Sequence, residues 1–165
     1  MMIRPERLDD GAVVGALLER AFGRPDEAAI ATALRGSAEY LPELALVAVE
    51  DDDIVGHIMF SRALVDGERP GQAALLAPMA VEPSRQGQGI GTALVRAGLA
   101  RCRDSGVALV VLLGHPTYYP RFGFVPAHDV GVLPPAEWPR DAWMALPLED
   151  DHPRGTVRIA PAFDV

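Results

Sequence analysis

The sequence predicts an α/β (α+β) protein built as a single domain over residues 1–165, with a mixed, mostly antiparallel central sheet flanked by helices. Alternating apolar segments separated by turn residues predict a three-stranded meander, and an amphipathic helix follows it. The run Val107–Leu113 is then continuously apolar, which is typical of a central strand buried on both faces. Because a helix separates this strand from the meander, we expect a parallel pair joined by a right-handed crossover.

The N-terminal part of the chain predicts one strand and two helices. Met2–Arg7 is a short strand, and Asp9 and Asp10 offer a cap for the first helix. The apolar residues at helical spacing in that helix are Val13, Val14, Leu17, Leu18, Ala21 and Phe22. Gly23 is a stop signal, and a second helix is expected over Asp26–Arg35.

The strands of the meander are expected at Leu44–Glu50, Ile54–Val65 and Gln72–Val81. Turn residues separate them, the second turn being Asp66–Gly71. A loop at Glu82–Gly91 leads into the crossover helix, which is expected to end near Ser105. The tail from Pro116 is proline-rich and irregular, with further short strands expected at Ala142–Leu148 and Thr156–Ala160.

Composition excludes several classes of function. The net charge is −8 and all fifteen basic residues are arginine, which argues against a nucleic-acid partner, because such a partner requires a basic face. A single cysteine and four scattered histidines argue against a disulfide or a metal site. No apolar run approaches the roughly 20 residues that span a bilayer. We therefore expect no membrane association and a cytoplasmic location.

Three alternating glycines stand between the third strand of the meander and the crossover helix. Gly87, Gly89 and Gly91 allow the backbone to curl so that successive N–H groups point inward. The helix that follows begins with unpaired N–H groups and a partial positive charge. Such a loop binds a phosphate or pyrophosphate without lysine. Further donors are expected from Arg85, Gln86 and Thr92.

Pro78 lies within the third strand of the meander. Proline cannot donate to a sheet ladder, so this position predicts a bulge or an edge. A bulge would splay this strand from the next parallel one and leave backbone groups unpaired near Met79, Ala80 and Val81. An extended, amide-bearing cofactor arm would pair with them as an added strand does.

These features resemble the GNAT superfamily of acetyl-coenzyme A-dependent N-acyltransferases. The cofactor motif of that family, Gln/Arg-x-x-Gly-x-Gly/Ala, is matched by Gln86–Gly91. The segment Leu113–Phe124 (LGHPTYYPRFGF) and the closing GTVR…PAFD are similar to the YhbS-like branch. The resemblance implies a GNAT-like sheet splayed between strands 4 and 5, with acetyl-coenzyme A as co-substrate and no metal. The cofactor-binding residues it implies are Met79, Ala80, Val81, Arg85, Gln86, Gly87, Gln88, Gly89, Ile90, Gly91 and Thr92.

Tyr119 is the candidate general acid. It precedes Gly123 by four residues, where the superfamily often places the tyrosine that protonates the departing thiolate. Tyr118 is the neighbouring alternative, and both rings are also explained as packing aromatics. Backbone N–H groups near Ala80 and Val81 are the expected donors to the tetrahedral oxyanion.

The general base is less well defined. Glu50, Glu82 and His115 are candidates, and water is a further one. His115 is favoured because it follows the central strand, at the end where ligands gather in such sheets. Cys102 lies on the crossover helix and is expected to pack rather than react, so direct attack in a ternary complex is favoured over a covalent route.

Three functions are compatible with this pattern. The first is acetyl transfer to a primary amine, either a small molecule or a peptide. The second is a non-catalytic, acyl-coenzyme A-binding regulatory domain, and the third is a structural or toxin-neutralising module. The intact glycine loop argues against the third, and Tyr119 favours the first over the second. The acceptor and the oligomeric state stay open, although an edge strand in the tail offers a surface for a homodimer.

Overall fold

The computed structural model describes residues 1–164, which contain three α-helices and nine strands. The helices are α1 (Gly11–Phe22), α2 (Asp26–Arg35) and α3 (Ile90–Asp104). The strands are β1 (Met2–Pro5), β2 (Tyr40–Glu50), β3 (Asp53–Arg69), β4 (Gly71–Val81), β5 (Leu109–Leu113), β6 (Val125–Pro126), β7 (Val132–Leu133), β8 (Trp143–Pro147) and β9 (Arg154–Arg158). None of the three helices is long and apolar enough to cross a bilayer.

The strands form a mixed, mostly antiparallel sheet, as the sequence predicts. Hydrogen-bonded neighbours follow the order β1-β2-β3-β4-β5-β8-β6, and β9 pairs with β3 and β7. The predicted parallel pair is β4 with β5, in the registers Ala74↔Val110 and Leu75↔Val111. These registers stop short of Pro78, which is consistent with a splay between strands 4 and 5.

The described residues divide into two compact units. The first comprises Met1–Ser61, Ala77–Arg101 and the residues from Pro161 on, and the second comprises Arg62–Leu76 and Cys102–Ala160. The long strands β3 and β4 contribute residues to both units. Neither unit is a continuous segment, so the division gives no linker at which to cut the chain.

Helix α3 packs closely on β3 in the first unit. Gly56 makes this possible, because a Cβ there would lie 2.8 Å from Leu94 Cδ1 and 3.0 Å from Ile90 Cγ2. Both apolar side chains are at most 4% exposed. This close packing fixes the position of the first turn of α3 over the sheet. It thereby also fixes the end of the loop that precedes the helix.

A buried carboxylate just after β1 connects three other elements of the first unit. Glu6 accepts hydrogen bonds from Arg35 at the end of α2 (2.8 and 3.2 Å) and from the Tyr40 hydroxyl on β2 (2.8 Å). His57 on β3 lies 2.9 Å from the same carboxylate. The Glu6 side chain is only 2% exposed. Burial raises its pKa, but the hydrogen bonds of His57 and Arg35 outweigh this and hold the pKa at about 2.

The second unit is organised around β5, which is almost fully buried. Leu109–Leu112 are at most 1% exposed, as expected for a central strand. On its other side β8 pairs antiparallel with β5 over all five positions. The Trp143 indole of β8 donates to the Val132 carbonyl at 3.2 Å, which ties β7 to this layer. The irregular tail is therefore held by the buried strand.

The structure corrects two local predictions. Asp66–Gly71 is not a turn, because β3 continues to Arg69 and pairs with β9. Gly67 and Gly155 both have positive φ and approach closely there, a contact 88 residues apart in sequence. Asp10 precedes α1 directly, but its carboxylate accepts from the Arg7 amide (2.6 Å) and from Arg4 (2.7 Å) instead of capping α1.

We expect the free energy of unfolding to decrease as the pH falls below about 4.5, the ordinary pKa of a glutamate. Folded Glu6 stays ionised down to a pH of about 2, whereas the unfolded chain takes up a proton, so acid favours unfolding. Urea unfolding should show that the wild type and Glu6→Gln differ less in free energy of unfolding at about pH 3.5 than at neutral pH, by ~1 kcal/mol. Glu149→Gln, at an exposed position, is the control. A gap that stays constant with pH would contradict the assignment.

Candidate active site

The end of β4 presents two amide groups away from β3. Glu82 donates from its backbone N–H to the Val55 carbonyl of β3 at 2.8 Å. In an antiparallel ladder every second residue bonds to a given neighbour, so Ala80 directs its amide toward β3 as Glu82 does. Met79 and Val81 therefore direct theirs to the opposite edge. Both of these side chains are half-buried, whereas Ala80 is buried.

Two of the three alternating glycines have a left-handed backbone, and the third, Gly91, lies within α3. Gly87 and Gly89 have φ values of +76° and +87°, a region that favours glycine. The Ala93 amide bonds to the Gly89 carbonyl at 3.0 Å, which is the first helical hydrogen bond of α3. The amides of residues 90 and 91 precede this bond and have no partner within the helix. Gln86, Gly87, Gln88 and Gly89 are exposed, so an anion has access to this N-terminus.

Two side chains of the loop are held by neighbours in the first unit. The Arg85 guanidinium donates to Gln88 Oε1 (3.0 Å) and to Glu50 Oε2 (2.7 Å). The Gln86 amide donates to the Val81 carbonyl at 3.3 Å. These bonds connect the loop to the ends of β2 and β4. Arg85 and Gln86 thus help to shape the loop.

The carboxylates considered as bases are both ion-paired. Glu50 accepts from Arg85, and Glu82 accepts from Arg20 at 2.6 and 3.2 Å. Each carboxylate therefore has a structural role, either at the loop or between α1 and the end of β4. This leaves His115 as the candidate base without an ion pair in the described part of the chain, and its side chain is exposed.

Tyr119 lies in an aromatic cluster of the second unit. Its ring centroid is 5.1 Å from that of Tyr118, nearly perpendicular, and 5.8 Å from that of Phe124. The residue is 9% exposed, and burial raises the pKa of its hydroxyl to about 12. The phenol is therefore protonated throughout the physiological pH range, as a proton donor must be.

Gly114 is a residue of this cluster that the sequence did not single out. A Cβ at this position would lie 2.6 Å from Tyr119 Cε2 and 3.1 Å from Cδ2. The backbone just after β5 thus passes directly beside the tyrosine ring. Only the segment LGHPTYY, in which Gly114 comes shortly before the two tyrosines, hinted at this proximity.

The predicted site residues are distributed over both units. Met79–Val81 and Arg85–Thr92 all lie in the first unit, at the end of β4, in the loop and at the start of α3. Tyr119 and His115 lie in the second unit, where the His115 carbonyl accepts from the Tyr118 amide at 3.1 Å. No cluster of three or more His, Cys, Asp or Glu side chains suited to a metal ion occurs among residues 1–164. The roles of the individual residues stay predictions.

Comparison with known proteins identifies the family. Residues 2–127 match the model of the acetyltransferase (GNAT) domain. This chain belongs to the GNAT acetyltransferase family. It is therefore an acyltransferase, and the resemblance inferred from the glycine loop and the LGHPTYYPRFGF segment is confirmed.

Two curated relatives come from Escherichia coli K12, and both are named as uncharacterised N-acetyltransferases. YjhQ is 39% identical over 144 residues, which cover 84% of this chain and 80% of YjhQ. YhbS is 37% identical over 164 residues, which cover 96% of this chain and 94% of YhbS. Similarity at this coverage extends over nearly the whole chain, including the irregular tail.

Two crystal structures of similar proteins contain the cofactor. YhbS from Escherichia coli, in complex with CoA, superposes with a TM-score of 0.91 at 33% identity and covers 99% of this chain and 92% of its own. A GNAT acetyltransferase from Brucella melitensis, in complex with acetyl-CoA, gives 0.82 at 37% identity, with 99% and 97% coverage. The predicted GNAT fold is confirmed by these comparisons.

We expect Gly114→Ala to displace the Tyr119 ring, because the new methyl group would overlap the ring edge. Turnover should fall at least ~10-fold, since a general acid typically contributes 10²–10⁴-fold. Steady-state kinetics would test this. Gly36→Ala is the control, because its nearest contact would be an ordinary 3.8 Å. Equal turnover in the two variants would show that the ring position does not matter.

Proposed function

We propose that this protein transfers an acetyl group from acetyl-coenzyme A to a primary amine of a small molecule or peptide, by direct attack in a ternary complex. The observation that carries the proposal is the left-handed glycine pair, Gly87 and Gly89, at the exposed N-terminus of α3. Backbone amides and the helix dipole together favour a pyrophosphate there. The complexes of the two similar proteins with CoA and acetyl-CoA support this choice of ligand.

The pyrophosphate would be held by the loop and the first turn of α3. The proposed contributors are Arg85, Gln86, Gly87, Gln88, Gly89, Ile90, Gly91 and Thr92. Ile90 would contribute its backbone amide, because its side chain is buried against β3. Coenzyme A would lie with its amide-bearing arm along Met79–Val81, whose outward amides and carbonyls are available to an added strand.

The oxyanion would be stabilised by an amide of β4. When the amine nitrogen attacks the thioester carbon, negative charge develops on the carbonyl oxygen. Val81 is favoured over Ala80 as the donor, because the Ala80 amide is directed toward β3. Met79 presents a second amide on the same edge, two residues away along the strand.

Tyr119 would protonate the departing sulfur. The C–S bond breaks as the C–N bond forms, and the sulfur takes the phenolic proton. This transfer leaves a phenolate, which is a stronger base than the thiolate because the pKa of Tyr119 is about 12. The proton that the amine releases therefore returns to the phenolate and restores the phenol. His115 or water would take the amine proton first. The net movement is one proton from nitrogen to sulfur.

A single domain, a cytoplasmic location, a homodimer and the absence of nucleic-acid or membrane partners stay predictions from composition and pattern. The acceptor belongs to the class of amines through the family assignment. Its identity is the part of the proposal that only a substrate screen supplies.

Acetyl-coenzyme A should raise the Tm, because a ligand that binds only the folded state stabilises it. Gly89→Glu should abolish the shift, since it adds a negative charge and a side chain at φ +87° in the anion loop. Gly106→Glu is a matched control, because Gly106 has φ +78°, equally open space, and follows the other end of α3. Differential scanning fluorimetry measures both. An equal shift in both variants would place the cofactor elsewhere.

A panel of primary amines with detection of free thiol should show acetyl transfer for at least one acceptor. Tyr119→Phe should lower kcat by ~10²-fold or more while the Tm shift with acetyl-coenzyme A persists. Tyr118→Phe, which removes the neighbouring hydroxyl, should have a much smaller effect. If acetyl-coenzyme A binds but no amine is acetylated, the protein is a regulatory domain instead. An unchanged kcat in Tyr119→Phe would reduce Tyr119 to packing.

A further inference from the structure

The cluster of Glu6, Arg35, Tyr40 and His57 is more elaborate than a structural ion pair needs to be. Both Glu6 oxygens accept two hydrogen bonds each, Oε1 from His57 and Arg35 and Oε2 from Arg35 and Tyr40. The His57 side chain is fully buried. Three polar side chains from α2, β2 and β3 are thus arranged around one carboxylate in the interior of the first unit.

The chemistry of the cluster fixes the tautomer of His57. Glu6 is ionised and can only accept, so the imidazole must donate from Nε2. Burial lowers the pKa of His57, so the ring is neutral and its Nδ1 carries a lone pair. Within residues 1–164 that Nδ1 is buried without a hydrogen-bond partner. His57 is therefore held by Glu6 through one nitrogen only.

His57 lies beside the part of β4 that would bind the acyl group. It pairs with Val47 on β2. On the other side, the bond from the Glu82 amide to the Val55 carbonyl sets the register of β3 against β4, which places His57 opposite Ala80. A residue directly opposite shares its face of the sheet and lies within about 5.5 Å between Cα atoms. Ala80 separates Met79 from Val81, the two residues whose amides face the other edge.

We propose that His57, held by Glu6, is a positioning residue that sets the placement of β4 at Ala80 and thereby aims the Val81 amide at the acyl oxygen and the Met79 amide at the arm of coenzyme A. The inference rests on the proposed acetyl transfer. Ala80 is small and buried, so the imidazole of His57 is the larger of the two facing side chains. Hydrogen bonds from Arg35 and Tyr40 fix the Glu6 carboxylate, which in turn fixes the His57 ring. Hydrogen bonds between β3 and β4 then couple the position of β3 to that of β4.

His57 is a less suitable proton acceptor for the reaction. Its free Nδ1 is a base in chemical terms, but the atom is buried, and neither an amine nor a solvent molecule can reach it in this conformation. The two roles differ in one respect that experiment resolves. A proton acceptor needs the lone pair of Nδ1, whereas a positioning residue needs only the donor at Nε2 and the shape of the ring.

Two substitutions of His57 separate these roles. His57→Gln keeps an amide N–H directed at Glu6 but removes the titratable lone pair, and His57→Leu keeps bulk but removes the donor. We expect His57→Leu to lower kcat by about 10- to 100-fold, because misplacement of catalytic groups by about 1 Å has effects of this size. The KM for acetyl-coenzyme A should change less than ~2-fold, and His57→Gln should restore kcat to within ~3-fold of wild type.

The control is His152→Leu, which removes another buried histidine, one that bonds to the Pro153 carbonyl in the second unit. It should leave kcat unchanged. If His57→Leu does not fold, Tyr40→Phe removes a single donor from Glu6 and should lower kcat several-fold at constant KM. A wild-type kcat in His57→Leu would overturn the inference. If His57→Leu does not fold, a wild-type kcat in Tyr40→Phe would overturn it instead.

Loss of kcat in both His57→Leu and His57→Gln would also overturn the proposal, because it would make His57 a proton acceptor. The wild type is measured in the same assay with the acetylated amine. If it released no thiol with any amine, the proposed function and the inference would both fail. Wild-type turnover with insensitive His57 variants would remove only the inference.

Discussion

The hydrogen bonds around the Glu6 carboxylate are the interaction on which the first unit depends. Burying a charge is costly unless it is paired and fully hydrogen-bonded. The Glu6 carboxylate meets this condition because it accepts four hydrogen bonds. The donors come from the end of α2, the start of β2 and the middle of β3. Removing any one of them leaves charge unsatisfied, so the relative positions of these elements are tightly specified.

The proposed function relies mainly on backbone groups. The glycine loop would contribute amides, and the end of β4 would contribute two more, while Arg85 and Gln86 bond to neighbouring protein groups. Close packing of Ile90 and Leu94 on Gly56 sets where α3 begins. The positions of the anion-facing amides are therefore decided by packing and pairing beneath them, and the side chains that face solvent contribute less.

Local signals were read correctly from the sequence, and contacts between distant segments were not. Helix α2 occupies the predicted residues, and β5 is buried as its unbroken apolar run indicated, because both patterns depend on neighbouring residues alone. The DGER segment has turn composition but continues β3, since pairing with β9 outweighs local preference. The Glu6 cluster and the contact of Gly114 with Tyr119 join residues whose proximity only the fold creates.

The reliance of the proposed anion site on main-chain donors has an evolutionary consequence. Amides are present at every residue except proline, so substitutions at the exposed positions Gln86 and Gln88 leave the number of donors unchanged. What selection must preserve is the path of the main chain, above all the left-handed turns at Gly87 and Gly89. Sequences can drift widely around such a loop while the cofactor chemistry is inherited intact, and the acceptor specificity is then free to diversify elsewhere in the chain.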